Sequence, residues 1–104
     1  MNKKILIVED EKVIREALKT RLLEEKFQIL EAKDGERGLA VALQEKPDLI
    51  LLDIIMPVMD GMTMLKYLRK DAWGKKAKVI ILTNLSDSTK VQEALEHDTN
   101  DYLV

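Results

Sequence analysis

The chain is 104 residues long, 46% hydrophobic and 35% charged, which allows one domain with a single core and lies far from the low-hydrophobicity composition of a disordered chain. Its 17 Lys and Arg against 19 Asp and Glu leave a net charge of −2, so no overall pull toward nucleic acid or an anionic membrane is implied. The absence of cysteine removes disulfides, thiolate metal sites and cysteine nucleophiles, and suits a reducing cytoplasm.

The first apolar run, "KILIV" at 4–8, reads as a strand and ends in three acids, Glu9, Asp10 and Glu11. A signal peptide would continue into an apolar core instead, and no apolar stretch approaches the ~20 residues of a membrane span. Val13, Ile14, Ala17, Leu18 and Leu22 then follow helical spacing. "FQIL" at 27–30 is the second strand, and Gln28 marks it as an edge. Asp34-Gly35 signals the turn into a second helix carrying Leu39, Ala42 and Leu43.

"LILL" at 49–52 is continuously apolar, as a central strand covered on both faces should be. Asp60-Gly61 introduces a third helix with Leu65 and Leu68. Trp73 is expected to be a partly exposed packing residue, and "KKAK" at 75–78 a solvated loop before the fourth strand, "KVIIL" at 78–82. Ser86 to Ser88 can cap a fourth helix with Val91, Ala94 and Leu95, and "YLV" at 102–104 is a fifth strand. Strands alternating with crossover helices predict a parallel sheet in an open α/β sandwich. With no fifth helix after Val104, the expectation is a fragment, or a sheet face covered by another chain.

In such sheets, ligands sit outside the carboxyl ends of the strands. The first strand exits into Glu9, Asp10 and Glu11, the third into Asp53, and the fourth into Thr83 and Asn84. Asp53 is the conspicuous one, because it interrupts the apolar run "LILLDIIMPVMDG" at 49–61, and an isolated buried carboxylate is costly unless neutralised, paired or ligated. If the first and third strands are neighbours, Glu9, Asp10 and Asp53 converge and raise one another's pKa unless a cation sits among them. Without cysteine and with His97 as the single histidine, the oxygen donors suit Mg²⁺ better than zinc or copper. Asp53 is then ligand, nucleophile or both.

"KKILIVEDE", "PDLILLDIIMPVMDGMTML", "VIILTN" and "NDYLV", in this order and across essentially the whole chain, resemble the receiver domain of two-component response regulators. The resemblance implies a flavodoxin-like (CheY-like) three-layer α/β sandwich with a five-stranded parallel sheet in the order 2-1-3-4-5. The fifth helix is absent from this chain, so residues 1–104 are expected to form one C-terminally incomplete receiver domain.

By this resemblance Asp53 is the phosphoacceptor, taking a phosphoryl group from a phosphohistidine on a sensor histidine kinase or phosphotransfer protein. Glu9, through water, Asp10, Asp53 and the backbone carbonyl of Ile55 would hold Mg²⁺. Thr83 would be the switch hydroxyl and Tyr102 the aromatic that follows it. Pro57 and Gly61 would shape the turn that presents Asp53, Pro by fixing φ and Gly by its permissive backbone. The face "STKVQEALEHDTNDYLV" would bind a downstream partner or a second copy. Neither direct nucleic-acid binding nor membrane attachment is implied, and the expected location is cytoplasmic.

Two departures accompany the resemblance. The Lys that family members carry just after the fifth strand is not reached by this chain, and Asn84 is bulkier and more polar than the small residue usual after the Thr at position 83. Ile55 and Leu85, two residues beyond Asp53 and Thr83, are both apolar, which implies slow self-dephosphorylation. Two alternatives stand beside the receiver. One is a phosphorylation-independent module with the same fold; the other is a haloacid-dehalogenase-like phosphatase, whose second Asp would occupy the position of Ile55. A flavodoxin binding flavin fits less well, because acids stand where a phosphate cradle requires Ser, Thr and Gly.

Overall fold

The computed structural model describes residues 3–53, 56–82 and 101–103, the last three by their backbone. Five strands form one parallel sheet: β1 (Lys4–Val8), β2 (Gln28–Ala32), β3 (Leu49–Asp53), β4 (Val79–Leu82) and β5 (Asp101–Leu103). Their order is β2-β1-β3-β4-β5, so the expected topology holds and Gln28 does lie in an edge strand. Three helices connect them among the described residues: α1 (Lys12–Glu24), α2 (Gly35–Glu45) and α3 (Gly61–Leu68). The expected fourth helix, its cap at Ser86 to Ser88 and His97 lie outside the described residues.

Period-two alternation divides the apolar strands between two cores. Leu6, Val8, Ile50, Leu52, Val79 and Ile81 meet Ala42 of α2 and Met64, Leu65 and Leu68 of α3. Ile5, Ile7, Leu49, Leu51, Ile80 and Leu82 face the other way, against Leu18 and Leu22 of α1 with Phe27 and Ile29. Helices therefore cover both faces of a sheet whose central strands must be apolar throughout. Each fully buried Leu or Ile contributes about 1.5–3 kcal/mol of transfer free energy, so a polar residue in β3 must lie at its end.

Two boundaries differ from the expectation. β2 extends to Ala32, because Glu31 and Ala32 still pair with Ile7 and Val8 of β1 although the apolar run stops at Leu30. The "KKAK" segment is no plain solvated loop: Gly74–Lys76 forms a 3₁₀ turn and Ala77 is buried in the core. Arg69 holds this segment, donating to the carbonyls of Gly74 at 2.6 Å and Ala77 at 2.8 Å. Trp73 is partly buried and packs on the core, as expected.

Gly38 allows α2 to approach the sheet closely. A Cβ there would stand 2.8 and 2.9 Å from the two methyl groups of Val8. That contact fixes α2 over β1, beside the strand end from which the acids emerge.

Candidate functional site

The site follows from strand register. Val8 pairs with Leu52, and the next residues along both strands are Glu9 and Asp53. Carboxylate oxygens of Glu9, Asp10 and Asp53 all lie within 4.8 Å of one another, as the sequence predicts. Their exposures differ: Glu9 is only 3% exposed, Asp53 is half-buried and Asp10 is exposed.

Burial first, then a hydrogen bond with Asp53 and the negative charges of Asp53, Asp10 and Glu11, push the Glu9 carboxyl up to about 8. Without a cation Glu9 therefore holds its proton near neutrality. Its Oε2 atom is buried with no hydrogen-bond partner, the one such side-chain atom among the described residues. A desolvated oxygen without a donor is expensive, and a hard cation beside Asp10 and Asp53 would satisfy it. The donor set, oxygen throughout and partly open to water, fits Mg²⁺.

The backbone around the acids is held from two sides. The Glu9 amide donates to Ala32 of β2 at 3.0 Å, which prolongs the sheet by one residue. Arg15 of α1 donates to the carbonyl of Glu9 at 2.8 Å and, more weakly, to that of Asp10 at 3.5 Å. Its Nε also lies 3.4 Å from Glu31, which Lys19 contacts at 3.0 Å.

Beyond Asp53 the chain turns sharply. The Met59 amide donates to the Pro57 carbonyl at 2.7 Å across Val58, whose φ is +67°. This is a γ-turn with a β-branched residue in the left-handed region, a rare and strained arrangement. Gly61 was the residue expected to use a permissive backbone here, but no described glycine has positive φ. Gly61 is instead the buried first residue of α3, and Val58 carries the unusual conformation. Asp60 caps α3 by accepting from the Thr63 amide at 2.8 Å, and the hydrogen bonds from Thr63 hold its carboxyl below the usual range.

Of the other expected site residues, Ile55 and Thr83 lie outside the described residues, as do Asn84 and Leu85. Tyr102 is placed by its backbone in β5, paired with Ile80. Sequence reasoning missed Arg15 and Glu31. A signal was present, because Arg15 stands three and seven residues before Leu18 and Leu22, on the sheet-facing side of α1 and about one turn after the acidic segment. A separate open cleft is lined by Arg15, Glu16, Glu31, Ala32, Lys33, Asp34 and Arg37, and by none of the three clustered carboxylates. No described helix is long and apolar enough to cross a membrane.

Residues 5–104 match the model of the response regulator receiver domain. The chain belongs to this family. Transcriptional regulatory protein SrrA of Staphylococcus aureus is 38% identical to this receiver domain over 104 residues, covering 100% of the chain and 42% of SrrA. Other curated relatives are matched over 39% to 41% of their length, so the receiver spans about two fifths of such proteins. Among solved structures, the receiver domain of a sensor histidine kinase from Pseudomonas aeruginosa, with magnesium coordinated in its active-site cleft, is similar with a TM-score of 0.81. It is 27% identical, over 100% of this chain and 85% of its own. Response regulator protein TrrA of Thermotoga maritima, in complex with Mg²⁺ and BeF, is 37% identical with a TM-score of 0.76, over 98% and 85% of the two chains.

Proposed function

We propose that residues 1–104 act as one receiver domain, a phosphorylation-dependent switch that accepts a phosphoryl group on Asp53 from a histidine kinase or phosphotransfer protein. The observation that carries this reading is the cluster of Glu9, Asp10 and Asp53 at the ends of β1 and β3, with one Glu9 oxygen buried and unpartnered. The similar structures holding magnesium, and magnesium with BeF, support it.

Glu9, Asp10 and Asp53, with the carbonyl of Ile55, would hold Mg²⁺. When bound, the cation would neutralise charge on the attacking carboxylate and on the oxygens of the phosphoryl group in transfer. An Asp53 carboxylate oxygen attacks phosphorus, a P–O bond forms and the P–N bond to the donor histidine breaks. The imidazole nitrogen takes the bonding pair and then a proton. Carboxylate nucleophiles are known to form such acyl phosphates. The hydroxyl of Thr83 and the ring of Tyr102 would then follow the new charge and alter the surface offered to a downstream protein.

Incubation with acetyl phosphate and Mg²⁺, followed by intact-protein mass spectrometry, should show one added phosphoryl group. Asp53→Asn should abolish it. Absence of the adduct in the parent protein, or its persistence in D53N, would overturn the reading.

A further inference from the structure

The Glu9 backbone is gripped at both ends. Its amide reaches Ala32 of β2, and its carbonyl, one residue past the end of β1, accepts from Arg15 at 2.8 Å. The same guanidinium nitrogen lies 3.5 Å from the Asp10 carbonyl. Arg15 is oriented in turn by Glu31, the residue before Ala32, and only 17% of its side chain is exposed. β2 therefore holds the acidic pair by two routes, one direct and one through Glu31 and Arg15.

We propose that Arg15 is a positioning residue for the cation site, acting on the carbonyls of Glu9 and Asp10 so that their carboxylates converge with Asp53. This rests on the metal-binding reading given above. The geometry separates it from a simple charge effect, because the two have opposite signs. A guanidinium on the backbone of two ligand residues still repels a divalent cation, so electrostatics alone make the site tighter when Arg15 is removed. Positioning makes it looser, since groups that orient metal ligands are commonly worth roughly 10–100-fold in affinity. Lys19 is the internal control: it carries the same charge, but its hydrogen bond goes to Glu31 and not to the acidic carbonyls.

The test is titration with Mn²⁺ followed by electron paramagnetic resonance, with Mg²⁺ as competitor, and with thermal melting recorded for every variant. Arg15→Ala should weaken Mn²⁺ binding roughly tenfold, while Lys19→Ala leaves it unchanged or slightly tighter. Arg15→Lys keeps the charge but lacks the planar fork needed to span the carbonyls and Glu31, so it should also bind more weakly than the parent. If R15A does not fold, R15K decides by the same criterion. Unchanged or tighter binding in the folded Arg15 variant, or an equal loss in K19A, overturns the proposal. A parent protein that binds no Mn²⁺ or Mg²⁺ would instead overturn the underlying metal-site reading.

Discussion

Gly35 donates its amide to the carbonyl of Met59 at 2.9 Å, which ties the start of α2 to the γ-turn that follows Asp53. A Cβ on Gly35 would run into that same carbonyl oxygen, with the carbonyl carbon at 2.9 Å. The obstruction is backbone, so a rotamer change cannot relieve it. Gly35→Ala should cost about 1–3 kcal/mol in urea unfolding, as overpacking does, and should weaken Mg²⁺ binding because the turn that follows Asp53 is displaced. For Gly38→Ala the nearest obstructions are the Val8 and Met64 side chains, which can shift, so it should disturb the metal site less.

That contrast bears on what the sequence made legible. The strands could be read because Ile5 to Val8, Leu49 to Leu52 and Val79 to Leu82 are covered on both faces, and burial writes itself as continuous apolar runs. The acids could be read because a charge that interrupts such a run needs a cause. Arg15 acts through main-chain carbonyls, which have no letter in the sequence. The strain at Val58 was hidden for a similar reason, since nearby Pro57 and Gly61 offered a more familiar account of the turn.

The protonation of Glu9 makes stability depend on pH. Its folded pKa, about 8, lies above the ordinary 4.5, so between those values the folded protein holds a proton that the unfolded chain has lost. The stabilisation is complete below about 4.5 and is lost as pH rises toward 8. Without metal, melting temperature should fall across this window relative to Glu9→Gln, which carries no titrating group there. Asp60 shifts downward, so its contribution disappears only as pH falls below the ordinary carboxylate range and leaves the window clear. Saturating Mg²⁺ should remove the Glu9 slope, because the cation binds the ionised carboxylate and releases its proton. Parallel melting curves for the parent and E9Q without metal would contradict this account.

Val58 offers a gain in stability. Its φ of +67° places a β-branched side chain where such residues are strained by about 1–3 kcal/mol, while 75% of its surface is exposed and little burial would be lost. Gly adopts this backbone without strain, at an entropic cost of about 0.5–1 kcal/mol. Val58→Gly should therefore stabilise the fold by about 1 kcal/mol. Thermal or urea melts measure it, and a destabilised variant would mean that the exposed side chain has contacts of value.

The lifetime of the phosphorylated state should depend on Ile55 and Leu85, two residues beyond Asp53 and Thr83. An acyl phosphate is lost when water attacks phosphorus in line, and a polar side chain nearby can orient that water or accept its proton. Two apolar side chains can do neither. Replacing both residues by polar ones, as in I55E with L85Q, should therefore speed phosphate loss after removal of the donor. The loss is timed on the parent and the double variant under saturating Mg²⁺, so that any change in metal affinity is held out of the comparison. Equal lifetimes would mean that access of water is set elsewhere, by Asn84 or by the turn at Val58.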